Sequence, residues 1–364
     1  MSTEYDESVF WGAVASFPKF GSVKLRRLHD HFGSMKSVWN TSHGELVEAG
    51  IRDAIVCDFF EHKKEFKMQY ISELLRRERI RVVRFFDNEF PELLSQIFDP
   101  PAVLFVKGVL RPMKMPVAVV GSRKITHYGQ QIIERVVPTL VKRGCDIISG
   151  LALGVDGCAH EQTLLSQGYT VAVLGSGIDS KRLYPRQHAQ LAERIIESGG
   201  AVISEFPPNT PPLKHHFPLR NRIISGMCQG VYVVEAAQKS GSLITARVAL
   251  EQNREVFATP GSIFSHASSG TNKLISMGAH VVTSAKDILN VFNIETEPEQ
   301  MQIYTPDSPD EANLLSLLSH EAMHIDDCIA RAALPAGRVM TLLTMLETKR
   351  IVKQIGGMRY VKTI

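Results

Sequence analysis

The chain has 364 residues, 44% of them hydrophobic and 22% charged, with a formal net charge of +3. That is the composition of a globular protein with room for two or three domains. No apolar run approaches the ~20 residues a bilayer-crossing helix needs. The small net charge excludes a polybasic tail, so a polyanion site would have to be concentrated in one place. The five cysteines, Cys57, Cys145, Cys158, Cys228 and Cys328, form no Cys-x-x-Cys pair. They read as reduced thiols and argue against a disulfide framework or a zinc site. The acidic start, MSTEYDESVF, lacks the basic and apolar regions of a signal peptide, and the expectation is a cytoplasmic protein.

Residues 1–110 read as mostly helical, with a short extended segment after the helices; the helical domain is placed at 1–80. Its segment ASFPKFGSVKLRRLHDHFGSMKSVWN resembles a helix-hairpin-helix or SAM-like unit, with Gly21 at the turn before a helix bearing Lys24, Arg26 and Arg27. Such hairpins contact the DNA backbone through turn amides, and a solvated basic face in a protein-interaction module fits equally. From Met115 to about Val291 the pattern changes. PVAVVGS, DIIS, TVAVLGS, AVIS, GVYVVEA, EVFAT and HVVT are strand-like runs separated by helix-length segments. This alternation predicts a parallel sheet covered by helices on both faces, placed at 81–294. A polar, proline-containing stretch at 295–310 reads as a hinge. Residues 311–364 read as three helices and a strand pair turned at Gly356-Gly357, the layout of a winged helix. Its basic residues are few and Asp326 and Asp327 make the second helix acidic, which favours a partner- or self-interaction module over duplex binding.

Ligands of parallel α/β sheets bind outside the carboxyl ends of the strands. Those ends carry Gly121-Ser122-Arg123, Ser149-Gly150, Gly175-Ser176-Gly177 and, after a later strand, Ser240-Gly241-Ser242. Small residues let backbone amides approach a ligand, and helix N-termini suit an anion. A dinucleotide is disfavoured: GSGIDS lacks the third glycine of G-x-G-x-x-G, it follows the wrong strand, and strand two ends in Ser149 where an acid would hold a ribose. A P-loop is missing as well. Arg123, Arg182, Arg186, Lys214, Arg220 and Arg222, with Phe217 among them, suit a longer polyanion whose bases can stack, that is, single-stranded nucleic acid. The same residues would equally serve as a core Phe217 with arginines paired to local acids such as Glu205.

Taken together, VVGSRKITHYG, SGLALGVDGCAH, VLGSGID, LYPRQ, FPLRNRIISG, SGSLITARVALEQNREVFATPGS and GTNKLISMGA resemble the DNA-processing protein A (DprA/Smf) family. The resemblance covers roughly Val117 to Ala279 and extends back into DNEFPELLSQIFDPPAVLFVKG. It implies an α/β protein with an extended Rossmann-like parallel-sheet domain, an N-terminal helical SAM/helix-hairpin-helix-like domain and a C-terminal winged-helix-like domain. It implies single-stranded DNA binding, protection of incoming strands in natural transformation and help in loading the RecA recombinase. Homodimerisation through the Rossmann-like domain is implied too, with no cofactor, no metal and no membrane. Carried over by position, Gly121, Ser122 and Arg123 would hold phosphate, and Ser149 and Gly150 would offer backbone and hydroxyl contacts. Arg186 fills a usually basic position, although the preceding SKRL departs from the family's shorter spacing. Lys214 and Phe217 would contact bases beside Arg220 and Asn221, and Ser240, Gly241 and Ser242 would complete the rim.

A hydrolase of a nucleotide-like small molecule is the alternative. Rossmann-like phosphoribohydrolases carry P-G-G-x-G-T-x-x-E after a comparable strand, whereas this chain reads QKSGSLITARVALE, with Val248 where the glutamate belongs. The expected acid–base group is therefore absent from that position. Asp156 and His160, four residues apart, read as a structural pair.

Overall fold

The computed structural model describes residues 5–294, 304–319, 321–349 and 351–362. These residues fall into two compact units that divide between Thr296 and Glu297. Most of the stretch read as a hinge, 295–303, lies outside the described residues.

The first unit opens with six helices: α1 (Glu7–Ala15), α2 (Ser22–Phe32), α3 (Met35–Asn40), α4 (His43–Glu48), α5 (Asp53–Glu65) and α6 (Met68–Arg77). Then follow β1 (Arg81–Arg84), α7 (Glu92–Ser95), β2 (Val103–Gly108), β3 (Pro116–Val120), α8 (His127–Lys142), β4 (Asp146–Ser149), α9 (Val155–Leu165) and β5 (Thr170–Val173). The unit closes with α10 (Ala189–Glu197), β6 (Ala201–Ser204), α11 (His216–Gly226), β7 (Gly230–Val233), α12 (Gly241–Glu251), β8 (Glu255–Ala258), α13 (Ser269–Ser276), β9 (His280–Val281) and α14 (Ala285–Val291). All seven strand-like runs read from the sequence are strands, β3 to β9.

The nine strands form one sheet in the order β1-β2-β6-β5-β4-β3-β7-β8-β9. The seven from β6 to β9 are parallel neighbours, while β2 pairs antiparallel with both β6 and β1. The chain thus starts in the middle at β3, builds outward through β4, β5 and β6, and returns to β3's other side for β7, β8 and β9. The place where the order reverses, between β3 and its two neighbours, is the topological switch point of the sheet.

Alternation along β3 explains the layering. Val117 and Val119 face a core with Ile133, Val136 and Leu140 of α8 and Ile288 of α14. Ala118 and Val120 face the opposite core with Ile223 and Ile224 of α11 and Ala246 of α12. Burying each such branched side chain contributes about 1.5–3 kcal/mol. The N-terminal helices are not a separate hydrophobic body: Trp11, Phe17 and Phe59 share a core with Phe105 of β2, Val202 of β6 and Ile195 of α10. Gly21 is the N-cap of α2 in an extended conformation, and Lys24 donates to the Lys19 carbonyl at 2.9 Å.

The second unit has α15 (Pro309–Leu317), β10 (Met323–His324), α16 (Ile325–Ala332), α17 (Ala336–Thr348), β11 (Val352–Gln354) and β12 (Arg359–Lys362). The three strands pair antiparallel as β10-β12-β11, so the wing has a third strand that the sequence reading lacked. Tyr304 and Asp307, within the stretch read as a hinge, belong to this unit: Lys349 donates to the Tyr304 hydroxyl at 2.6 Å and to Asp307 at 2.5 Å. Arg338 of α17 pairs with Asp310 at 2.9 Å. Among the described residues no single helix is long and apolar enough to cross a membrane.

Candidate nucleic-acid interface

A cleft of about 480 Å³ lies outside the carboxyl ends of the strands at the switch point. Gly121, Ser122, Arg123 and Lys124 come to it from the turn after β3, and Ala152 and Asp156 from the turn after β4 and the start of α9. Phe217, Arg220 and Asn221 come from α11, and Ser240, Gly241 and Ser242 from the turn after β7. The crossovers place these turns together because each parallel strand must end on the same rim. The first turn of α12 opens onto the cleft, with Ser240 as N-cap accepting from the Ser242 amide at 3.3 Å. A helix N-terminus of this kind carries partial positive charge.

Arg123 is exposed, and its guanidinium lies 5.3 Å from the centre of the Phe217 ring. Phe217 lines this cleft and also a small neighbouring recess formed with Gly150, Leu153, Tyr184 and Pro185. It therefore stands as a partition between two hollows. The Tyr184 ring is 5.8 Å away on the recess side. Gly175 makes this placement possible, since a Cβ there would come within 2.9 Å of the Phe217 ring.

Beneath the rim lies a buried polar assembly. The Gly150 N–H donates to Asp156 at 3.1 Å, and the Gly150 carbonyl accepts from Arg220 at 2.8 Å; Arg220 also donates to the Val173 carbonyl. Burial raises the Asp156 pKa, an effect opposed by Arg220 and by the Ala152 and Gly150 amides. Burial lowers the Arg220 pKa to about 10, so the guanidinium stays charged at neutral pH. Gly150 is required here, because a Cβ would lie 2.5 Å from the Arg220 guanidinium.

The structure separates the carried-over residues into groups. Gly121, Ser122, Arg123, Phe217, Asn221, Ser240, Gly241 and Ser242 surround the cleft. Gly150 and Arg220 also line hollows, but their polar groups are engaged with each other. Arg220 is 4% exposed and supports the turn after β4 from below. Ser149 is fully buried and its hydroxyl donates to the Val119 carbonyl at 2.6 Å, so the expected hydroxyl contact is spent inside the fold. Arg186 and Lys214 are exposed but line neither hollow. Arg222 turns away to bind Asp99 at 3.0 Å and Glu205 at 2.6 Å, and Arg182 binds Asn209 at 2.9 Å. Asp156 and His160 do not form the pair their spacing suggested: His160 bonds Thr170 at 2.7 Å while Asp156 holds the Gly150 amide. Sequence reasoning missed Lys124, Tyr184 and His266 as lining residues, while Ala152 lies in the strand-end turn that it placed on the rim. Lys124 and Tyr184 had a signal, each adjoining a named motif residue; His266 had none.

A Rossmann-like α/β sheet with Arg123, Lys124 and the Phe217 ring at a switch-point cleft defines the fold class of the chain. Within it, residues 81–293 match the family described as DNA recombination-mediator protein A, and residues 298–358 match the DprA winged helix domain. The chain belongs to the DNA recombination-mediator protein A family, DprA/Smf. Protein Smf of Escherichia coli is 44% identical over 282 residues, covering 74% of this chain and 75% of that protein. The DNA processing protein DprA of Bacillus subtilis is 42% identical over 241 residues, 66% of this chain and 78% of that one. The crystal structure of DprA from Streptococcus pneumoniae superposes with a TM-score of 0.67 at 35% identity, over 81% of this chain and all of that chain. DprA from Helicobacter pylori, whose structure concerns its single-stranded DNA binding mode, superposes with a TM-score of 0.53 at 28% identity, over 59% of this chain and 96% of that one.

Proposed function

We propose that this protein binds single-stranded DNA in the switch-point cleft and acts on it without turnover, as a recombination mediator in natural transformation. The observation that carries this reading is Arg123 over the ring of Phe217, between two hollows. A cation beside a half-buried aromatic partition that lines both hollows suits a strand whose phosphates and unstacked bases are both presented, and a paired duplex hides the base faces. Lys214 and Arg186 stand outside the two hollows and extend the basic track to flanking phosphates. Among the described residues lining the cleft the sole carboxylate is Asp156, and it is buried against Arg220 and the Gly150 amide. That engagement supports binding over hydrolysis.

The reading extends to loading of the RecA recombinase on the bound strand, to a homodimer built through the Rossmann-like unit and to action in the cytoplasm. The C-terminal unit serves as an interaction module: Arg338 and Lys349 of its third helix region are already paired with acids, and α16 opens with exposed Asp326 and Asp327.

Gel shift with oligo-dT tests the site. Wild type binds with strong salt dependence and prefers the single strand to a blunt duplex. Arg123→Ala weakens binding at least tenfold and reduces the salt slope by about one ion. Phe217→Ala costs about 1–3 kcal/mol with the salt slope unchanged. Unaltered affinity in both variants refutes the cleft as the site. Turnover of a nucleotide by the pure protein, lost in Arg123→Ala, replaces this reading with the hydrolase one.

A further inference from the structure

The N-terminal helices bring together three donor side chains that the DNA cleft does not use. Cys57 and Asp53 lie one turn apart on α5 and therefore share a face. His43 is the first residue of α4, whose start is fixed by a capping box between Ser42 and Glu45, and its ring packs 5.8 Å from Phe60. The His43 Nε2 is 3.4 Å from an Asp53 carboxylate oxygen and 3.5 Å from the Cys57 Sγ, which is 4.0 Å from the other Asp53 oxygen. One ligand atom from each residue lies within 4.8 Å of the other two.

These separations can be compared with those of a metal centre. A tetrahedral zinc ion has bonds of about 2.3 Å to sulfur and about 2.0–2.1 Å to nitrogen and oxygen. Its edges are then about 3.4 Å between nitrogen and oxygen and about 3.6 Å between sulfur and either light donor. The His43–Asp53 and His43–Cys57 separations match two of the three edges; the 4.0 Å from Cys57 Sγ is to the other Asp53 oxygen, so the third edge requires the exposed Asp53 carboxylate to turn on binding. Cys57 is also the exposed cysteine of the five, the others being buried or half-buried.

We propose that His43, Asp53 and Cys57 form a three-ligand site for a borderline-soft divalent cation, Zn²⁺ in the first instance, with water in the fourth position. Binding replaces the Cys57 S–H bond with an S–Zn bond and releases that proton to solvent, so affinity rises with pH. The bound ion bridges α4 to α5 across the surface of the helical unit. The ligand softness follows from one thiolate and one imidazole; calcium or magnesium would require an oxygen-rich set.

The full-length, reduced protein is titrated with Co²⁺ and then with Zn²⁺ against a chromophoric chelator. The expected result is a thiolate-to-cobalt charge-transfer band that saturates at one equivalent per chain and is bleached by Zn²⁺. Cys57→Ser removes the band, and His43→Gln weakens Zn²⁺ binding at least tenfold. Both variants keep the wild-type circular dichroism and oligo-dT affinity, because neither residue belongs to the cleft. A missing charge-transfer band in wild type, a band that persists in Cys57→Ser, or a Zn²⁺ affinity unchanged in His43→Gln overturns the proposal.

Discussion

Gly150 carries opposite demands on its two peptide groups: its N–H meets a carboxylate and its carbonyl meets a guanidinium. Gly150→Ala is expected to displace Arg220 and with it the turn bearing Leu151 and Ala152. Oligo-dT affinity should fall several-fold even though the cleft's outer residues are untouched; an unchanged affinity would show that the turn does not shape the site. His160 gives a second residue-scale expectation. Its buried ring has a pKa lowered to about 3 from 6.5, chiefly by burial. Above pH 6.5 the folded and unfolded chains both hold it neutral. Below that, the unfolded chain takes up a proton that the fold refuses, so its contribution to stability is lost as the pH falls from 6.5 toward 3. The slope is about 1.4 kcal/mol per pH unit, or about 2 kcal/mol between pH 6.5 and about pH 5. Denaturant melts of wild type and His160→Asn at those two pH values measure it: the variant's stability should fall by less. Equal losses in both would mean that His160 does not titrate this way.

Elements are tied together by groups that sequence spacing does not reveal. Glu78 caps the end of α6, yet it reaches Lys107 on β2 at 2.6 Å and the Ser180 amide in the loop after β5 at 2.7 Å. Burial works to raise its pKa, but the bonds to Lys107 and Ser180 prevail and hold it at about 2. Glu78→Ala leaves Lys107 mostly buried and unpaired, with an expected cost of about 3–5 kcal/mol in chemical denaturation. Removing both partners, Glu78→Ala with Lys107→Met, should recover part of that loss; no recovery would mean that the carboxylate acts alone. The same loop carries Tyr184, so this pair connects the helical segment to the recess beside the switch-point cleft. The helix α11 shows why a basic cluster in sequence is not a basic patch in space. Over Lys214 to Arg222 the chain turns through more than one helical circuit. Phe217 meets the cleft, Arg220 points into the core beneath it, and Arg222 lands on Asp99 and Glu205.

For the whole molecule, the division between sequence and tertiary structure follows from the range of the forces involved. Short continuous apolar runs separated by helix-length segments were enough to locate strands β3 to β9, because burial on both faces of a parallel sheet leaves a local signature. The carboxyl-end rule then pointed to the rim that carries the switch-point cleft, and the motif order identified the family. Strand β10 was not legible, since it is a two-residue segment whose partner strand lies far along the chain; the short extended segment read after the helices resolves into β1 and β2, whose antiparallel pairing with each other and with β6 the sequence did not show. The sequence also determined that Arg123 and Phe217 were candidates. Only the fold decided that they stand together, that Ser149 and Arg220 support the rim from inside, and that His43, Asp53 and Cys57 meet at all. Cysteine spacing gave no sign of this cluster, because a motif search sees neighbours along one segment. The three donors converge because the turn between α4 and α5 folds one helix against the other, a long-range consequence of core packing that no local pattern encodes.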